Sequence, residues 1–249
     1  MAYAWMPGAR RIRAKADGGS LRGGAPRAVW LTLGTAPGTV SVQSAATRLI
    51  AERRPCHIIW DPVTGEIAQI ISILRAGCAL GPAERLSHVP GMPTVSVSKA
   101  TYHGLGAPLW AGAARTAPAS VIGAATTNAN TEGRVCVQIG VLSHPADPFT
   151  SGPLDGVAAI MSWLDSWGVA RHWPAGQPAP QPSRQDAVFH HSRALWALGG
   201  HFGASQVPGC AGQGPGGIDT SLLTGTHMLQ VHQREGRPAR SPAVLSIPA

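Results

Sequence analysis

Residues 135–141 read Val-Cys-Val-Gln-Ile-Gly-Val, seven positions with Gln138 as the single polar side chain. A strand with one face in water alternates apolar and polar residues, so an unbroken apolar run predicts a strand covered on both faces. That places 135–141 at the centre of a sheet and requires further layers above and below it. The rest of the chain supplies them. Residues 27–33, RAVWLTL, predict a first strand that stops at Gly34 and Pro37-Gly38. Residues 41–53 place Ala45, Ala46, Leu49 and Ile50 on one helical face, with Ser41 or Ser44 as N-cap and Pro55 as terminator. Residues 56–61 and 66–73, joined by the turn at 62–65, predict a β-hairpin with Cys56, Ile58 and Trp60 sharing a face. Residues 154–167 carry Val157, Ile160, Met161 and Leu164 at helical spacing, between Pro153 and Gly168. The expected fold is α/β, a central mixed sheet flanked by helices.

At 249 residues there is length for one such domain with additions. The expected division is an N-terminal arm over 1–26 resting on the domain through Trp5 and Met6, a domain over 27–223, and a basic tail over 224–249. Residues 84–129 interrupt the domain with a Pro-, Gly-, Ala-, Ser- and Thr-rich insertion in which only 94–98 looks strand-like. Residues 173–182 read as Pro-rich loop, and 186–198 as a short helix or a loop.

The formal net charge of +8 suits an anionic partner, a wall polymer more than a nucleic acid, since no basic block with interleaved aromatics stands out. Scarcity of acids contributes as much as abundance of bases: charged residues make up only 13%. Cys56, Cys78, Cys136 and Cys210 have no CxxC spacing, which excludes a zinc ribbon and leaves disulfides and free thiols both open. No apolar run is long enough for a signal peptide or a membrane span. A soluble protein is expected, cytoplasmic until release or carried on a virion.

Residues 199–219, GGHFGASQVPGCAGQGPGGID, resemble the zinc-site loop of phage-type and actinobacterial N-acetylmuramoyl-L-alanine amidases, which share the peptidoglycan-recognition fold. The hairpin resembles the same family through His57, Asp61, Pro62 and the run 64–69. So does the strand following Asn130, where Gly140 takes the place of an acidic residue. The matches cover roughly 27–80 and 130–223, in the family's order. The resemblance implies a Zn²⁺ held by three side chains with an open position for the attacking water. The ligand positions are occupied here by Leu31, Ala204 and Gly214, and the position of an assisting Tyr by Cys56. Leucine, alanine and glycine offer no side-chain lone pair. The expected chain is therefore zinc-less and without cofactor, keeping the fold while losing the hydrolase reaction.

Trp30, Trp60, His201 and Cys210 are candidate groove residues, with Trp60 foremost. Cys56, His201 and Cys210 form the alternative set for a rearranged metal or Cys–His site. Asp61 and Asp219 read as turn and cap residues, His190-His191 as a loop pair, and Trp163 and Trp167 as core or rim. The expected partner is peptidoglycan or another cell-wall polymer. Two readings compete with this one: a virion or other structural protein binding partner proteins, and an active amidase with rearranged ligands.

Overall fold

The computed structural model describes residues 2–81, 128–180, 193–210 and 214–225. Six strands form one mixed sheet: β1 (Arg10–Arg11), β2 (Arg27–Thr32), β3 (Ile58–Trp60), β4 (Ile67–Gln69), β5 (Cys136–Val141) and β6 (Gly200–Gly203). Among the described residues, four α-helices accompany them: α1 (Val42–Ala51), α2 (Val157–Ser166), α3 (Arg193–Ala197) and α4 (Thr220–Thr224). The spatial order is β1-β4-β3-β5-β2-β6. The apolar run thus becomes β5, inside the sheet between β3 and β2 and parallel to both. Only the β3–β4 hairpin is antiparallel.

Alternation along β5 sorts its side chains onto two cores. Val137, Ile139 and Val141 join Ala28, Trp30, Ile58 and Trp60 on the face covered by Ile160, Met161, Trp163 and Leu164 of α2. Cys136 joins Val29, Leu31, Ile59 and Ala68 on the face covered by Val42, Ala45, Ala46 and Leu49 of α1. Each large aliphatic or aromatic side chain enclosed this way contributes about 1.5–3 kcal/mol relative to exposure. α1 starts as its sequence predicts: the Ser41 hydroxyl accepts from the Ser44 N–H at 3.1 Å. α2 is shorter at its start than expected, because Gly156 at φ +84° turns the chain before the first helical residue. Gly168, at φ +76°, follows its end.

The hairpin pairs Ile58 with Gln69, Ile59 with Ala68 and Trp60 with Ile67. Asp61 is its turn residue, accepting from the N–H groups of Val63 (2.9 Å), Thr64 (3.3 Å) and Gly38 (2.9 Å). Asp219 likewise caps α4, accepting from the Ser221 N–H at 2.9 Å. One expectation about the hairpin is corrected. Regular extension begins at Ile58, so Cys56 packs in the α1-side cluster with Ile59, while Ile58 and Trp60 face α2.

The arm carries more structure than its composition suggests. Met6 is buried and Trp5 half-buried, as expected, but the chain then adds β1 to the sheet, parallel to β4. Trp163 and Trp167 both donate their indole N–H to the Tyr3 carbonyl, at 2.8 and 3.1 Å, which ties the arm to α2.

Residues 84–127 of the insertion and residues 226–249 of the tail lie outside the described residues, as does His190-His191. The two ends of the insertion do meet. The Asn130 amide donates to the Leu80 carbonyl at 2.6 Å and accepts from the Leu80 N–H at 3.2 Å. Buried Gln138 braces this pair, donating to Asn130 Oδ1 at 2.7 Å and accepting from the Ala79 N–H at 2.9 Å. Within 186–198, α3 is present and docks through Trp196, on whose ring the buried Arg27 guanidinium lies at 4.4 Å.

Candidate functional site

β2, β3, β5 and β6 run parallel, so their C-terminal ends gather on one edge. In open α/β sheets that edge is where ligands bind. Here it is built from Leu31, Thr32 and Leu33, the turn after β6 that starts at Ala204, Ser143, and the segment from Gly214.

Leu31, Cys56, Ala204 and Cys210 all belong to the same buried apolar cluster on the α1 side. The fold thus gathers positions that are separated by up to 179 residues of chain, from 31 to 210. Relative exposure is 8% for Leu31, 0% for Cys56, 1% for Ala204 and 4% for Cys210, so this cluster is packed, not an open cleft. Gly140 sits beside it, opposite Leu31 in register. A Cβ placed there would meet Leu33 side-chain atoms at 3.0 and 3.2 Å and Cys56 Sγ at 3.1 Å. Leu33 and Cys56 fill the space that an acidic side chain at 140 would need.

Gly214 faces the adjoining residue of β2. Its φ is +84°, and a Cβ on it would come 2.3 Å from Thr32 Oγ1. Both features demand glycine. Its carbonyl accepts from the Ser205 N–H at 3.0 Å, which fastens this segment to the turn after β6.

Burial governs the titratable groups nearby. The Cys56 thiol donates to the Ile58 carbonyl at 3.1 Å and is pushed up to about 12 by desolvation, so at neutral pH it is a protonated thiol. Cys136 is raised to about 12 for the same reason. His201 stands on β6 facing α2, stacked on Trp30 and on Trp173 with ring centroids 6.1 and 6.0 Å away. Its Nδ1 accepts from the Trp30 indole at 3.0 Å, and desolvation lowers its pKa to about 4. Trp30 also packs on Trp60 at 6.2 Å and Phe149 at 6.2 Å.

Trp30, Trp60 and His201 are each 0% exposed, so these groove candidates are core residues of the α2 side. Their separation from Cys56 and Cys210 has a simple cause: successive residues of a strand point to opposite faces of the sheet. His201 therefore lies across the sheet from the two thiols that the Cys–His reading grouped with it. Among the described residues no three His, Cys, Asp or Glu side chains gather as a metal-binding group.

Two features escaped the sequence reading. The hydroxyls of Thr32 and Ser143 are buried, and among the described residues neither has a hydrogen-bond partner. They stand on neighbouring chains, since Thr32 pairs with Val141 and the Gly34 N–H donates to the Ser143 carbonyl at 3.1 Å. Buried hydroxyls are ordinarily satisfied, so these two retain hydrogen-bonding capacity that the described residues do not use. No local signal in the sequence separates these two from other Ser and Thr residues. No protein family, no curated protein and no solved structure matches the chain.

Proposed function

We propose that this chain is a recognition protein on an amidase-like fold, one that binds cell-wall peptidoglycan without hydrolysing it. The observation carrying the reading is the strand-end edge. Leu31 and Ala204, which the amidase resemblance singles out, fall there in a packed apolar cluster that also takes in Cys56, and Thr32 and Ser143 offer unpaired hydroxyls beside it. Hydroxyls can pair with the amide and hydroxyl groups of a glycopeptide, whereas an apolar cluster supplies nothing to activate water. Zinc is the cofactor of the family resembled. Leu31 and Ala204 cannot ligate it, and a carboxylate at 214 would collide with Thr32.

The test uses acid-extracted peptidoglycan, free of phosphate polymers. Expected are sedimentation with the peptidoglycan, competition by soluble muropeptide, and no release of soluble fragments. Thr32→Val and Ser143→Ala weaken binding while leaving the fold at least as stable, because each removes an unsatisfied buried hydroxyl. Retention no greater than that of an unrelated protein of similar charge refutes the proposal. Lysis accompanied by stoichiometric bound zinc would revive the amidase reading.

A further inference from the structure

The lateral edge of the sheet at β1 carries a second surface, unrelated to the resemblance. Residues 2–26 hold five basic side chains against the single acid Asp17. Arg75 occupies that acid through two hydrogen bonds of 2.9 Å. The chain leaving β1 stays extended along β4: the N–H groups of Ile12 and Ala14 donate to the carbonyls of Gln69 and Ile70, at 2.9 and 3.2 Å. Ile12 and Ala14 turn their side chains onto the α1-side core. Arg11, Arg13 and Lys15 must then project from the other face, and all three are exposed. Beneath them lies Trp5, with the guanidinium groups of Arg11 and Arg13 at 5.5 and 5.6 Å from its ring. Cation–π contact holds both arginines in place before any ligand arrives. None of the three basic residues takes part in an ion pair among the described residues.

We propose that Arg11, Arg13 and Lys15 form a binding comb for a linear polyol-phosphate polymer, read through the negative charges along its backbone. A row of fixed positive charges is complementary to a chain of phosphodiesters. Nucleic acid fits less well. Single-strand binders offer aromatic faces to the bases, and here the Trp5 ring is half-buried and covered by guanidinium groups. The comb begins on β1 and continues into the segment after it, while the strand-end site involves β2 and β6, four and five places along the sheet, so either surface can bind without the other.

Calorimetry of the full chain with a poly(glycerol phosphate) oligomer tests this between 50 and 200 mM salt. Three phosphate contacts predict an affinity falling about 20-fold across that range. Arg11→Gln/Arg13→Gln/Lys15→Gln should lower the slope of log affinity against log salt by about 2. Arg11→Lys/Arg13→Lys, which preserves the charge, should retain most of the binding. Arg48→Gln/Arg53→Gln/Arg54→Gln removes equal charge at the end of α1 and should leave the slope unchanged. The proposal is overturned if the α1 triple weakens binding as much as the comb triple. It is equally overturned if a charge-matched oligothymidylate, or vesicles of phosphatidylglycerol, bind the comb more tightly than the polymer.

Discussion

Lowering the pH should destabilise this protein through two enclosed imidazoles. His57 is fully buried, its Nδ1 accepting from the Gln138 N–H at 3.1 Å and its Nε2 bonded to the Arg75 carbonyl at 2.8 Å. His201 has the same predicament, with Nδ1 accepting from the Trp30 indole. Desolvation holds each at about 4, from an ordinary value of 6.5. A protonated ring would also turn an N–H against the donor it now accepts from. Above pH 6.5 both folded and unfolded states are neutral and nothing is lost. Below it the unfolded chain takes up protons that the folded one refuses, so stability falls until pH reaches about 4. At pH 5 the loss is about 2 kcal/mol for each histidine, or about 4 kcal/mol together, against the roughly 5–15 kcal/mol typical of a domain. Asp17, held below its ordinary value of 3.8 by Arg75, loses its contribution only at lower pH, outside this window. Urea unfolding at pH 7, 6 and 5 measures the slope, and His57→Gln should remove about half of it. A free energy of unfolding flat from pH 7 to 5 would refute the burial argument for both residues.

Further outcomes are expected of other substitutions and reagents. A Cβ at Gly77 would lie 2.2 Å from Gln138 Oε1, which already accepts from the Ala79 N–H; Gly77→Ala should therefore cost about 2 kcal/mol or more in urea unfolding. Gly214→Asp, which restores the carboxylate of the amidase pattern, should cost about 2–3 kcal/mol and bring no zinc affinity, checked by unfolding and by metal titration. In a thiol-reagent assay of the native protein, half-exposed Cys78 should react before Cys56 and Cys136, and all four should react in urea. Because Asn130 and Leu80 already join the ends of the insertion, replacing residues 82–127 with a short Gly-Ser linker should change stability by less than about 1 kcal/mol. Loss of cooperative unfolding in that variant would show the segment to be integral to the domain.

Much of the architecture was legible in local pattern. The apolar run at 135–141 placed β5 inside the sheet, because only a strand covered on both faces tolerates six such residues in seven positions. Ser41, Asp61 and Asp219 announced a helix start, a turn and a cap, since those roles depend on a side-chain oxygen reaching a backbone N–H two or three residues away. The substitutions at Leu31, Cys56 and Ala204 were visible one by one, as residue types without ligating atoms or with a thiol in a tyrosine's place. What only tertiary structure decided is long-range. It put those three positions in one packed cluster, set Cys56 and Trp60 on different sides of the sheet, and enclosed the groove candidates Trp30, Trp60 and His201. It also left the Thr32 and Ser143 hydroxyls unpaired among the described residues and turned Arg11, Arg13 and Lys15 outward from an arm whose edge strand composition alone gave no reason to expect. Spacing along a chain fixes which residues share a local face. Which faces are then covered, and by what, depends on partners that can lie more than a hundred residues away.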